Sequence, residues 1–163
     1  MESNNLILIR PTTNTDQNFI QKEMKKWWGD EMVIIRGEKY YPADYEGFIA
    51  EHKGETTGLI LLRFEKNLCE ILSLTTSSVT ASSGKMLVNA AIENARETGA
   101  QRLIVVTTND NIGALRFYQQ LGFRISAWRK GAVEQSRKIK PTIPLEGNYH
   151  IPIRDEIELE LNL

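Results

Sequence analysis

Two hydrophobic periods alternate along the chain. "LILIR", Leu6–Arg10, is a short apolar run that predicts a strand stopped by Pro11. In "NTDQNFIQKEMKKWW", Phe19, Ile20, Glu23, Met24 and Trp27 recur at helical spacing, with Glu23 the polar exception and Thr15 or Asp16 as cap. "MVIIRG", Met32–Gly37, reads as a strand or extended segment. Phe48–His52 and Gly58–Phe64 predict a hairpin about a turn at Lys53–Thr57, and Leu68–Ser77 a further strand of buried residue types.

The helical period returns in "GKMLVNAAIENARETGA". Met86, Leu87, Ala90, Ala91 and Asn94 share a face, and Gly99 suits a left-handed stop. Arg102–Thr108 is a continuous apolar run, the mark of a strand buried on both faces. "NDNIGALRFYQQLGF" then predicts a helix starting near Asn111, with Ala114, Phe117, Tyr118 and Leu121 on one stripe and Gly122 at its end. Phe123–Arg129 is another strand. Residues 131–150 hold Pro141, Pro144 and Gly147, have no period, and read as a long loop. In the last segment Ile157, Leu159 and Leu161 alternate with Glu156, Glu158 and Glu160, a strand with one wet face. This order predicts one α/β (α+β) domain over residues 1–163: a mixed, mostly antiparallel central sheet flanked by helices.

Composition narrows the function classes. The chain has 163 residues, 41% hydrophobic and 25% charged, which fits one globular domain. Its net charge of −1 argues against nucleic acid as a partner. The N-terminus lacks a signal-peptide pattern and no run reaches a membrane span, so no membrane partner is expected. One cysteine, Cys69, lies in an apolar run. A lone thiol fits a cytoplasmic protein, and with only His52 and His150 beside it no metal site is expected.

Two places suggest chemistry. "TTSSVTASSGK", Thr75–Lys85, joins a strand to a helix. Its small residues, Gly84 and Lys85 suit a diphosphate at the helix N-terminus, or simply a cap and loop. Tyr118 is either a core aromatic or a proton donor.

Taken together, Asn111, Ala114, Phe117, Tyr118, Gly122 and Phe123 after that strand–turn–helix resemble the GNAT superfamily of N-acetyltransferases. The resemblance covers roughly residues 45 to 128, and the first forty only in element order; the flanks look like a bacterial subgroup. It implies acetyl-CoA as cofactor and transfer of an acetyl group to an amine by direct attack in a ternary complex. It implies a coenzyme site at Leu74, Thr75 and Thr76, at Val79, Ser82, Ser83, Gly84 and Lys85, and at Asn109, Asn111, Ala114, Phe117 and Tyr118. Tyr118 would protonate the leaving thiolate, a backbone N–H at Leu74 or Thr75 would meet the oxyanion at a strand bulge, and Glu70 would deprotonate the amine, ahead of Asp155 and Glu156. Trp28, Tyr40 and Tyr41, with Trp27, would shape the acceptor pocket. The family's phosphate-loop pattern falls on Val79–Gly84, where Val79 replaces the Gln or Arg, Ser82 the first glycine, and only Gly84 fits.

That departure keeps a second reading in view, a non-catalytic acyl-CoA-binding or sensor protein. A third is an interaction protein using the basic segment Arg129–Lys140. The acceptor is left as a small-molecule or peptide amine. The strand carboxylates Glu156, Glu158 and Glu160 either draw a cationic acceptor or simply face water. The apolar last strand either completes its own sheet or pairs in a homodimer.

Overall fold

A computed structural model describes residues 6–77 and 82–163. Its strands are β1 (Ile7–Pro11), β2 (Val33–Ile35), β3 (Glu38–Tyr40), β4 (Gly47–His52), β5 (Glu55–Glu65), β6 (Leu68–Thr76), β7 (Arg102–Thr108), β8 (Arg124–Arg129) and β9 (Glu156–Asn162). The helices are α1 (Gln17–Trp28), α2 (Ser83–Glu97), α3 (Ile112–Gln120) and α4 (Ala132–Ile139). Seven strands form one sheet in the order β1-β4-β5-β6-β7-β9-β8, in which β6–β7 is the parallel pair. This is the mixed, mostly antiparallel sheet that the period pattern predicts. β9 completes the chain's own sheet, inserted between β7 and β8.

β5 explains why the sheet needs helices on both faces. Its successive side chains point to opposite sides, and both sides are apolar. Leu59 and Leu61 join Ile49 and the α1 residues Ile20 and Met24 in one core cluster. Ile60 and Leu62 join Leu87, Val88 and Ala91 of α2 in the other. Complete burial of Met24 is worth about 1.5–3 kcal/mol. Gly99 and Gly122 end α2 and α3 at φ +84° and +96°, values that a side chain makes costly.

Several expectations need correction. The loop expected at 131–150 contains α4, whose buried positions are Val133 and Ser136. A serine on the inner stripe erases the apolar period that would have revealed the helix. A short 3₁₀ turn at Asn14–Asp16, entered from Thr13, precedes α1, and the Asp16 carboxylate accepts the Thr13 N–H at 2.8 Å. The hairpin turn shrinks to Lys53 and Gly54. Val33–Ile35 turns back at Arg36 and Gly37 to pair with Glu38–Tyr40 as a separate ribbon. The wet face of β9 fails at its first residue: Glu156 is buried, because this ribbon and Arg129 cover it.

Candidate active site

The site begins with a defect in β6. The pairing Leu61↔Ser73 is followed by Leu62↔Ile71, so Leu72 is the extra residue of a bulge. On its other side β6 pairs with β7 from Leu68↔Arg102 only as far as Ile71↔Val105. Both strands then continue without pairing, and β7 stays joined to β9 through Thr108. Between the splayed ends lies a cleft of about 320 Å³, lined by Leu72, Ser73 and Leu74 on one side and Val105, Val106 and Thr107 on the other. The β6 backbone here has no ladder partner on its β7 side, so its polar groups are available to a ligand.

The two helices after these strands close the cleft. Gly84, in the first turn of α2, lines it beside Thr76 and Phe117. That first turn holds no acid, and Lys85 is exposed in it. Asn111 caps α3 by accepting the Ala114 N–H at 3.1 Å, and both residues line the cleft. Tyr118 also lines it, 4% exposed, its ring edge-on to Phe117 at 5.1 Å and Phe123 at 5.3 Å. Burial pushes its hydroxyl well above the usual phenol range.

A second cavity of about 640 Å³ continues from the first; Trp28, Leu72, Val106, Thr107 and Asn111 line both. Its other walls come from β2, α4 and the segment 142–153. Ile34, Val133, Ile143 and Pro144 make it largely apolar. Glu156, 3% exposed, stands in its wall and accepts from the Arg36 N–H at 3.0 Å and from Arg129 Nε at 3.0 Å.

The structure thus brings Leu74, Thr76, Gly84, Asn111, Ala114, Phe117 and Tyr118 to one cleft, with Trp28 at its junction with the larger cavity. Ser82 and Lys85 stand at the α2 end without lining the cleft. Thr75 is buried outside it, and Ser83 is buried against Thr57, with its hydroxyl 2.9 Å from that of Thr57. Val79 lies outside the described residues.

Other expected residues sit elsewhere. Glu70 is fully buried but lines neither cavity: Arg36 Nη2 and Arg63 Nη2 each donate to its Oε2 at 2.7 Å. Asn109 latches the chain end, donating to Pro152 O and accepting the Arg154 and Asp155 N–H groups. Asp155 accepts the Gly131 N–H at 2.7 Å. Tyr40 donates to Glu38 beneath Arg63, Tyr41 is half exposed, and neither lines the larger cavity. The ribbon places Val33–Ile35 there instead. Burial lifts the Cys69 thiol to about 12, which removes it as a nucleophile. Asp110 and Lys140 also line the larger cavity; the sequence placed Asp110 in the cap run Asn109–Asn111 and Lys140 at the end of the basic segment Arg129–Lys140.

Comparison with known proteins follows the same outline. The model of the acetyltransferase (GNAT) family matches residues 17–123. The uncharacterized protein YxbD of Bacillus subtilis is 36% identical over 152 residues, covering 93% of this chain and 96% of that protein. A GNAT family acetyltransferase from Elizabethkingia anophelis, solved with acetyl-CoA bound, superposes with a TM-score of 0.70 at 23% identity over 99% of this chain and 100% of that one. A Bacillus subtilis acetyltransferase in complex with CoA gives 0.66 at 23% identity, over 96% and 97%.

Proposed function

The chain belongs to the acetyltransferase (GNAT) family, and from that premise we propose that it transfers an acetyl group from acetyl-CoA to a primary amine. The observation that carries this reading is the parting of β6 from β7 after Ile71 and Val105, with Tyr118 and the α2 N-terminus beside the opening.

The residues present fit the coenzyme. The unpaired β6 edge supplies backbone groups for an extended arm, the α2 N-terminus supplies N–H groups for a diphosphate, and Gly84 leaves its approach open. Bound there, acetyl-CoA supplies the thioester carbon that the amine attacks, and its C–S bond breaks as the new C–N bond forms. Backbone N–H groups near Leu74 meet the carbonyl oxygen as charge builds on it. Tyr118, a phenol and therefore protonated at neutral pH, gives its proton to the departing sulfur. Glu156, in the acceptor wall, receives the proton that the amine loses, directly or through one water. Glu70 is a positioning residue that holds Arg36 and Arg63 beneath the β2–β3 ribbon.

The test is thiol release from acetyl-CoA with a panel of primary amines, alongside melting with rising coenzyme. Ligand at about 100 times its dissociation constant should add about 2.7 kcal/mol of stability. No melting shift at millimolar acetyl-CoA would sink the proposal; a shift without turnover on any amine would favour a sensor.

A further inference from the structure

Resting on the acetyltransferase reading, we infer that the acceptor is a small amine that also carries a carboxylate, seated on Lys140 in the larger cavity. Lys140 follows α4, is 7% exposed, and is the one Lys or Arg among the described residues lining that cavity. Its Nζ donates to Met32 O at 2.8 Å and to Trp28 O at 3.1 Å. An ammonium has three protons, so one remains for a ligand.

The charges around it leave this one unanswered. Asp30 acts on Lys140 through its field without forming an ion pair, and lost hydration outweighs it, which lowers the lysine pKa. The carboxylates of the wall are engaged elsewhere. Asp110 accepts from Thr108 and Asn148, Glu146 pairs with His150, and Glu156 accepts from Arg36 and Arg129. An anionic ligand group would therefore relieve the buried ammonium without displacing a protein partner. A single spare proton, with no arginine in the wall, suits a carboxylate better than a phosphate. The apolar walls favour an aliphatic or aromatic body between the acid and the amine, and a cavity of about 640 Å³ suits a small molecule.

The experiment compares ω-amino acids and aromatic amino acids with their primary amides as acceptors. The free acids should show kcat/KM about tenfold higher, the worth of one charge-assisted bond. Lys140→Met should abolish that preference by raising KM for the acids alone, and Lys140→Arg should retain it. Equal use of acids and amides by the unaltered protein, or a preference that survives in Lys140→Met, would overturn the inference. Titration calorimetry with the N-acetylated acids and amides reads the same seat without turnover. If no amine reacts but the acids bind and lose affinity in Lys140→Met, the seat stands and the acetyltransferase reading falls. If the methionine variant does not fold, the acid-to-amide ratio of the unaltered protein decides.

Discussion

The indole Nε1 of Trp28 donates to the Ser73 hydroxyl at 3.1 Å, which ties the last turn of α1 to the residue after the β6 bulge. The bond sits where the two cavities meet. A net hydrogen bond is worth about 1 kcal/mol, so Trp28→Phe and Ser73→Ala should each lower Tm by about 2–4 °C. The double variant should fall less than the sum of the two, a coupling that thermal melting of all four proteins measures.

Tyr118→Phe keeps the ring against Phe117 and Phe123 and removes only the hydroxyl. Turnover should fall by about 10²–10⁴, with Tm nearly unchanged. Full turnover in this variant would remove the role assigned to Tyr118. The raised hydroxyl pKa also sets a direction. The protonated form is favoured in the folded state, so its stability contribution is complete below the unfolded phenol value near ~10. It is lost as pH rises from there toward the folded value. Melting in alkaline buffers should show this loss, and Tyr118→Phe should reduce it.

Glu70→Gln and Glu156→Gln separate scaffold from chemistry. Glu70 holds two guanidinium groups, and weakening a buried charge cluster costs about 3 kcal/mol or more. Glu70→Gln should melt at lower temperature while the folded fraction keeps its turnover. Glu156→Gln should instead lower kcat/KM with Tm less affected, read from turnover and melting of the same samples. Lost turnover in folded Glu70→Gln, with Glu156→Gln active, would return the proton-accepting role to Glu70.

Acid should weaken the entry to α1. Asp16 accepts Arg10 Nη1 and Nη2, each at 2.9 Å, and this pair holds its carboxyl at about 2. A lowered carboxylate pKa stabilises the fold above the unfolded value near ~3.9, and that stability is lost as pH falls through about 2. Asp16→Asn should flatten the acid limb of Tm against pH. The loss near neutrality should be about 1 kcal/mol, because Arg10 remains 37% exposed and water screens the pair.

Local pattern by itself determined most of the framework. Arg102–Thr108 is continuous apolar sequence and forms a central strand, and "NDNIGALRFYQQLGF" carries its own cap at Asn111 and stop at Gly122. Periods, caps and stops are properties of neighbouring residues, so no distant contact is needed to read them. Tertiary structure decided what those elements enclose. The parting of β6 from β7 depends on how strands far apart in sequence pair, and a residue's type does not say which neighbours will bury it. Glu70 and Glu156 are both strand carboxylates with arginine partners, yet only Glu156 lines a cavity. Lys140 lay in a segment without period, and only its docking on the carbonyls of Trp28 and Met32, more than a hundred residues away, buried its ammonium. Hydrophobic period selects the element and its inner face; the charge and shape of a cavity arise where several such faces meet.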